Sequence, residues 1–230
     1  MPRRPFRQLR PTAKQPLLEL DPVTNTQLEF NIAILAAGAA SRFGACKLLA
    51  PLNGKPVLNY SLDAASQTEA HEVFIITGSW HQEIEKHLEL RNAEKEHFLY
   101  CQNWQEGMGA SIKLAANTNK DKSTALLIML ADQPLISAEQ LNLLITRWSD
   151  QPEQICCAQY NNTLGAPAIF PISAQHELLT LPNNQGAKRL LTNQAANTVS
   201  IPEAAWDIDT PTNLAQAHTL LAANTKTDAN

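Results

Sequence analysis

The amino-acid sequence predicts an α/β fold in which a single domain contains a doubly wound, largely parallel sheet. Apolar runs of strand length alternate along the chain with segments of helical periodicity. The 230 residues are sufficient for one sizeable core. The chain has only 8 glycines, and nearly all of them fall between the predicted elements. Because ligands bind beyond the carboxyl ends of the strands in such sheets, the loops at that edge are expected to carry the function.

The predicted elements follow one another in a regular order. Strands are expected at 31–37, 72–78, 97–101 and 124–130, with a hairpin around 161–170. Helices are expected at 56–68, 80–90, 109–118, 137–148, 172–181 and 185–191. Pro56 suits the start of the first helix, and Ser137 with Gln140 suits a capping box at the start of the fourth.

The composition narrows the class of protein. The hydrophobic content is 44%, and no run reaches the roughly 18 apolar residues that a membrane span needs. A net charge of −4 and a pI near 5.9 argue against a general nucleic-acid binder. The four cysteines form no C-x-x-C pair, so they indicate neither a zinc site nor a disulfide framework. A reducing, cytoplasmic setting is therefore expected.

The chain divides into one predicted domain and two end segments. Residues 1–29 are basic and contain prolines, but they lack the continuous apolar core of a signal peptide. They are expected to be a disordered extension, with a transit peptide or a polyanion-binding arm as the alternatives. The domain is predicted to run over 30–223, and 224–230 is expected to be a loose tail.

One arginine and one lysine follow a small-residue loop after the first strand, in the stretch LAAGAASRFGACK. The dinucleotide-binding fingerprint requires a glycine where Ala40 stands, and the P-loop requires a lysine directly after its second glycine, where Ala45 follows Gly44. Backbone N–H groups of such a loop can still hold phosphate oxygens, while Arg42 and Lys47 add positive charge. The alternative is that these are two solvated surface cations.

Carboxylates occupy corresponding positions later in the chain. Asp132 comes directly after the strand at 124–130, where it could hold Mg²⁺ together with water and phosphate. Asp207 and Asp209 precede a further predicted helix, and they would point to the same side if that stretch is extended. Either could instead cap the helix, as could Thr210. Together with the loop cations, these residues are typical of a phosphoryl-transfer site.

These residues belong to a series of six motifs that resembles the MobA-like nucleotidyltransferases. The series covers about 31–223 and runs LAAGAASRFGACK, WQEGMGAS, LADQP, LGAP, QGAKRLL and DIDTP. Within the family the sequence is most similar to the molybdenum cofactor cytidylyltransferase branch. The guanylyltransferase branch usually carries a glycine where Ala37 stands, which favours CTP over GTP. The resemblance implies a Rossmann-like sheet of the nucleotide-diphospho-sugar transferase type.

The resemblance also implies a reaction and its partners. The protein would transfer CMP from CTP to the terminal phosphate of molybdopterin and release pyrophosphate, with Mg²⁺ as the metal. No side-chain nucleophile would be needed, because metal and cations neutralise the reacting centre. A molybdenum hydroxylase apoenzyme would receive the cofactor, and neither a nucleic acid nor a membrane is implied. Another phosphorylated acceptor, such as a sugar phosphate or an isoprenoid precursor, and a non-catalytic cofactor carrier are the alternatives.

Individual residues receive roles from the same resemblance. The catalytic residues would be Arg42 at the β/γ end of the triphosphate, Lys47 near the α-phosphate, and Asp132. The metal would be held by Asp132 together with one aspartate of DIDTP, for which Asp209 is preferred and Asp207 is the alternative. The implied nucleotide-binding residues are Leu35, Ala36, Ala37, Gly38, Arg42, Gly44, Lys47, Gly107 and Ser111. The implied acceptor-binding residues are Gly165, Pro167 and Trp104, although Trp104 could also stack on a base or simply pack.

The chain departs from the family pattern at a few positions. Ala40 replaces the usual serine or glycine of the loop, which could remove one hydroxyl contact. Cys101-Gln102 replaces an Asn-Pro pair, and NNQGA replaces a common Gly-Asp-x-Gly-Ala, so the acceptor is less certain than the nucleotide. Cys46 lies inside the loop, where cations could lower its pKa, although a bystander role is favoured. Cys156 and Cys157 are expected in the core of a strand.

Overall fold

The computed structural model describes residues 28–88, 94–120 and 124–227, with the side chains of the last helix described as far as residue 223. It contains nine strands in its described part: β1 (Phe30–Ala36), β2 (Pro51–Leu52), β3 (Lys55–Pro56), β4 (Val73–Thr77), β5 (Glu96–Tyr100), β6 (Ala125–Leu130), β7 (Cys156–Tyr160), β8 (Thr163–Phe170) and β9 (Asn197–Ser200). The helices are α1 (Val57–Ser66), α2 (His81–His87), α3 (Met108–Asn119), α4 (Ala138–Ser149), α5 (Ile172–Leu179), α6 (Lys188–Asn193) and α7 (Pro211–Thr227).

Seven of the strands form one sheet in the order β5-β4-β1-β6-β8-β7-β9. Strand β8 runs antiparallel to both of its neighbours, and the other neighbouring pairs are parallel. Strands β2 and β3 form a separate small hairpin. The prediction of a largely parallel, Rossmann-like α/β sheet in a single domain is confirmed.

Helices cover both faces of the sheet because alternate residues of its central strands point to opposite sides. On β1, Ile32 and Ile34 belong to an apolar layer that also contains residues of α1, α2, α4 and α7. Ala33 belongs to a second layer, which contains residues of α3, α5 and α6. Burying each large aliphatic side chain stabilises the fold by about 1.5–3 kcal/mol. The two layers leave only loops at the carboxyl edge of the sheet.

Most predicted elements lie within a few residues of their observed bounds. The capping box is confirmed, since the Ser137 hydroxyl accepts from the Gln140 N–H while the Gln140 side chain accepts from the Ser137 N–H. The sequence does not predict the β2–β3 hairpin or β9. The predicted extension lies outside the described residues over 1–27, as do residues 228–230 of the predicted tail; α7 continues to Thr227.

The hairpin between β7 and β8 has the two-residue loop Asn161-Asn162. Both residues have positive φ angles, 45° and 57°, as a type I′ turn requires. Asparagine tolerates this left-handed conformation better than most residues. The predicted hairpin is therefore confirmed. Because β8 is antiparallel, its first residues lie at the carboxyl edge of the sheet.

A buried polar cluster joins the elements at the opposite, amino edge. The Asn31 amide donates to Asn119 Oδ1 (2.7 Å) and to Thr124 Oγ1 (3.0 Å), and its oxygen accepts from the Glu72 N–H. The Asn119 amide in turn donates to Gln175 (3.0 Å). These hydrogen bonds satisfy polar groups that would otherwise be costly to bury.

Within the described ranges, none of the helices has the length and apolarity that a membrane crossing requires.

Candidate active site

A cavity of about 370 Å³ opens at the carboxyl edge, where β1 and β6 end. This volume lies within the range of about 300–1,000 Å³ usual for small-molecule sites. The wall includes residues 35–42, which form the end of β1 and the loop that follows it. The other lining residues are Lys47, Leu48, Trp104, Gln105, Gly107, Met108, Ser111, Leu130, Asp132 and Asp209.

The loop after β1 folds into a tight turn. The Ala40 carbonyl accepts hydrogen bonds from the N–H groups of Phe43 (2.9 Å) and Gly44 (3.1 Å). Gly44 has φ +79°, a conformation that glycine adopts without a steric penalty. Gly44, which is predicted to bind the nucleotide, thus closes the turn and is not among the residues that line the cavity. Ala40 has φ +53°, which costs a residue with a Cβ about 1–2 kcal/mol.

The predicted cations and two of the predicted carboxylates come together in one network. The Lys47 ammonium lies 2.6 Å from Asp132 Oδ2 and 3.0 Å from Asp209 Oδ1. The Arg42 guanidinium lies 3.0 Å from the other oxygen of Asp209. The Lys47 side chain is only 11% exposed, whereas that of Arg42 is 73% exposed. Lys47 is therefore held inside the network, while Arg42 reaches in from the solvent side.

The charges around Lys47 decide its protonation. Burial alone would lower the pKa of Lys47, but the negative charges and hydrogen bonds of Asp132 and Asp209 outweigh burial and raise the pKa above its usual value. The ammonium therefore stays charged at neutral pH. A protonated lysine between two carboxylates offsets their mutual repulsion, and it can also act as a cation towards phosphate oxygens.

Asp207 occupies a different environment from Asp209. Partial burial raises the pKa of Asp207, and the negative charges of Asp132 and Asp209 raise it further, while a hydrogen bond from Gln133 opposes them. Between the two aspartates, Ile208 is buried and its N–H donates to the Asp132 carbonyl (2.9 Å). Asp209 lies on the cavity wall, and Asp207 is not among the residues that line it.

The donor set fits a magnesium ion. Asp132 and Asp209 share one ammonium, so their oxygens are close to each other at the wall of the cavity. Mg²⁺ typically takes one or two carboxylates and completes its shell with water and phosphate. Among the described residues, no group of three or more His, Cys, Asp or Glu side chains is arranged to hold a metal ion. A two-carboxylate site completed by phosphate does not need such a group.

The start of α3 forms the wall opposite the loop. Gly107 has φ +122°, and a Cβ there would lie 2.8 Å from the Asn183 carbonyl oxygen, so only glycine fits at this contact. Ser111 is buried in the first turn of α3. Gly107 and Ser111, which are predicted to bind the nucleotide, thus line this cavity, and so does Trp104, which is predicted to bind the acceptor. Trp104 takes that position because it packs against Gly78.

A second cavity of about 180 Å³ shares Leu35, Met108 and Leu130 with the first. Gly165, which is predicted to bind the acceptor, lies in its wall next to the Tyr160 ring. Pro167 is buried within β8 and is not among the lining residues. Lys188 is the only charged residue among the described residues that line it. The second cavity is therefore largely apolar.

The cysteines differ in part from expectation. Burial raises the pKa of Cys46, so the nearby cations do not make it a reactive thiolate. Cys156 and Cys157 are fully buried in β7, as predicted. Burial raises the pKa of Cys156 to about 11 and that of Cys157 to about 12.

Some residues at the site receive no role from the sequence: Gln133, Gln105 and Met108 lie within the motifs LADQP and WQEGMGAS without an assigned function, and Trp80 lies outside all six motifs. Gln133 is buried and donates to the Ala204 carbonyl (2.8 Å), which fixes the segment after Asp132. Gln105 and Met108 line the first cavity. Trp80 donates from its indole N–H to the Ala39 carbonyl (3.0 Å). Their position after strand ends or before α3, at the edge where ligands bind, is the signal that could have identified them.

Sequence comparison finds similarity to known proteins over much of this chain. The MobA-like NTP transferase domain matches residues 32–199. Purine catabolism protein PucB of Bacillus subtilis (strain 168) is 28% identical over 187 residues, which cover 77% of this chain and 90% of PucB. Bifunctional protein GlmU of Sorangium cellulosum (strain So ce56) is 30% identical over 144 residues, 60% of this chain but only 30% of GlmU.

Solved structures share the fold. Rv0371c from Mycobacterium tuberculosis H37Rv superposes with a TM-score of 0.71 at 22% identity, covering 84% of this chain and 98% of that protein. Molybdopterin-guanine dinucleotide biosynthesis protein A from Archaeoglobus fulgidus superposes with a TM-score of 0.62 at 18% identity. The match covers 84% of this chain and 99% of that protein. The family match spans the loop after β1, Asp132 and the start of α3. This chain belongs to the MobA-like NTP transferase family.

Proposed function

We propose that this protein transfers CMP from CTP to the terminal phosphate of molybdopterin and releases pyrophosphate. One observation carries the proposal: a single cavity faces a small-residue loop, two cations and two carboxylates. Neutral ligands would not require two cations at the wall, whereas a triphosphate and a divalent metal together use both signs of charge. The family of the chain agrees with this chemistry.

The charged residues of the first cavity have different proposed roles: some bind the triphosphate, and others bind the metal or neutralise the charge of the reacting phosphate. Arg42 binds the β/γ end of the triphosphate, and Lys47 holds charge that develops near the α-phosphate. Asp132 and Asp209 hold the metal, which supplies a Lewis acid for phosphate oxygens when bound. A phosphate oxygen of the acceptor forms a bond to the α-phosphorus, while the bond from that phosphorus to the pyrophosphate oxygen breaks.

The preference for CTP rests on Ala37. Its side chain lies in the wall of the first cavity, where the related guanylyltransferases usually have glycine. A Cβ at this position takes space from the cavity, which favours a pyrimidine over the larger purine. We therefore expect the cytosine base to lie next to Ala37 in the first cavity.

The acceptor is assigned to the second cavity because it shares a wall with the first. A molecule bound there would lie beside the nucleotide, because Leu35, Met108 and Leu130 line both cavities. Gly165 leaves room for it, and Lys188 offers a cation at its edge. A molybdenum hydroxylase apoenzyme would receive the product, and a reducing cytoplasm would suit the four free cysteines of the described residues.

Pyrophosphate release tests the proposal directly. The full chain is incubated with Mg²⁺ and each of CTP, GTP, ATP and UTP, with and without molybdopterin. Release with CTP that depends on molybdopterin is the expected result. Release that depends on a sugar phosphate or an isoprenoid phosphate would replace the acceptor. CTP binding with no release on any acceptor would favour a cofactor carrier, and a response to GTP alone would overturn the choice of base.

A further inference from the structure

The segment after β4 packs against the back of the loop that follows β1. The Ser79 N–H donates to the Ala37 carbonyl (3.2 Å), and the Trp80 indole N–H donates to the Ala39 carbonyl (3.0 Å). Gly78 completes this contact, because a Cβ there would lie 2.5 Å from the Ala37 oxygen and 2.7 Å from Trp104 Cβ. The Ser79 N–H and the Trp80 indole N–H therefore fix the carbonyls of Ala37 and Ala39, which are two residues apart in the loop.

Fixing these carbonyls also fixes two N–H groups. In a trans peptide the C=O and N–H bonds point in opposite directions. The peptide of the Ala37 carbonyl carries the Gly38 N–H, and the peptide of the Ala39 carbonyl carries the Ala40 N–H. With the carbonyls held towards Ser79 and Trp80, both N–H groups point away from that segment, and Gly38 and Ala40 both line the first cavity.

These two N–H groups have no acceptor within the described part of the chain. Successive N–H groups that converge in a turn form a concave site for anions. Each phosphate oxygen bound there would receive a hydrogen bond from a group that is already oriented. Pre-organisation of this kind increases affinity because no ordering is needed on binding.

We propose that Trp80 is a positioning residue for the triphosphate: by anchoring the Ala39 carbonyl, its indole orients the Ala40 N–H into the cavity. This inference rests on the proposed function, because it concerns how the same cavity holds phosphate. Ser79 does the same for Gly38 through its backbone, so a side-chain substitution cannot remove that contact. Trp80 is therefore the position at which the arrangement can be tested.

The substitution Trp80→Phe removes the donor and keeps an aromatic ring. Trp148→Phe is the matched control, since its indole also donates to a backbone carbonyl, that of Pro152 (3.1 Å), and Trp148 is not among the residues lining the first cavity. Calorimetry on the full chains measures the dissociation constants of CTP with Mg²⁺ and of cytidine. Trp80→Phe is expected to weaken CTP binding about 3–10-fold, the effect of one hydrogen bond, and to leave cytidine binding unchanged.

The outcomes separate this inference from the proposed function. Equal CTP affinity in Trp80→Phe and wild type, or an equal loss for CTP and cytidine, would overturn the positioning role. Wild-type binding of a different triphosphate would contradict the choice of CTP alone, and the same comparison would then use that triphosphate. Absence of binding to any triphosphate would overturn both proposals.

Nuclear magnetic resonance of the wild-type chain gives a second test that does not depend on the variant folding. Inorganic triphosphate is expected to shift the amide resonances of Gly38 and Ala40. In Trp80→Phe the shift at Ala40 is expected to shrink, while the shift at Gly38, held by Ser79, persists. Unshifted Gly38 and Ala40 amides in the wild-type chain would contradict the inference.

Discussion

The two cavities at the carboxyl edge differ in chemistry although they share a wall. The first, of about 370 Å³, is bordered by Arg42, Lys47, Asp132 and Asp209. The second, of about 180 Å³, is lined mainly by apolar residues of α3, β8 and α6. Charge and backbone N–H groups can select a triphosphate whatever its base, whereas an apolar cavity selects mainly by shape. The difference indicates that substitutions should separate into those that affect the nucleotide and those that affect the acceptor.

The largest effect is expected at Asp132. Asp132→Asn removes the negative charge closest to Lys47 and one of the two proposed metal ligands. Pyrophosphate release is expected to fall by about 10²–10³, as when one pre-organised group is removed from a reacting centre. Circular dichroism would check that the fold is intact. Asp150→Asn, on the exposed face of the protein, is the control, and full release by Asp132→Asn would contradict the assignment.

Lys47 and Arg42 should differ, although both are cations of the same loop. Lys47→Met removes a largely buried ammonium that bridges both carboxylates, so a loss of turnover of about 10² is expected. Arg42→Met removes an exposed cation proposed to contact the triphosphate, and a smaller loss, within about 10-fold, is expected because solvent and salt screen an exposed charge. Steady-state kinetics with varied CTP measures both. Equal losses would show that burial does not distinguish the two cations.

The acceptor side can be tested at Gly165. A Cβ at this position would overlap the Tyr160 hydroxyl, so Gly165→Ala forces that ring, which also lines the second cavity, to move. The KM for the acceptor is expected to rise about 10-fold, the usual order for one misplaced methyl group, while the KM for CTP stays constant. A rise in the KM for CTP alone would mean that the second cavity serves the nucleotide.

The smallest effect is expected at Ala40. Ala40→Gly relieves the left-handed conformation of this residue, at the expense of a more flexible unfolded chain. The net gain is expected to be up to about 1 kcal/mol, which corresponds to a rise in Tm of about 2–4 °C for a domain of this size. Differential scanning calorimetry measures it. An unchanged or lower Tm would indicate that the strain at Ala40 is already offset by its hydrogen bonds.

The central strands could be predicted because they are short, continuous apolar runs bounded by polar residues or glycine. Strand β9 could not, since only Val199 of its four residues is buried and the strand lies at the edge of the sheet. The insertion of β8 between β6 and β7 depends on pairing between distant segments, which a local pattern does not encode. Prediction was therefore best where burial alone decides the structure.

The sequence motifs identify residues of the candidate site, but they do not predict which of these residues contact one another. The motifs identify Lys47, Asp132 and Asp209, yet Lys47 meets the two aspartates across 85 and 162 residues of chain. The choice between Asp207 and Asp209 depends on the path of the backbone around the buried Ile208. Trp80 belongs to none of the six motifs, because its role comes from packing against the loop after β1.

The β7–β8 hairpin has a consequence for how this protein could change over evolution. Its turn at Asn161-Asn162 lies between Tyr160 and Leu164, which both line the second cavity and do not line the first. Insertions in a surface turn are tolerated well by a stable sheet. If the second cavity takes the acceptor as proposed, lengthening this hairpin would alter the acceptor that fits and spare the residues proposed to meet the triphosphate. New acceptors could thus be acquired without rebuilding the chemistry.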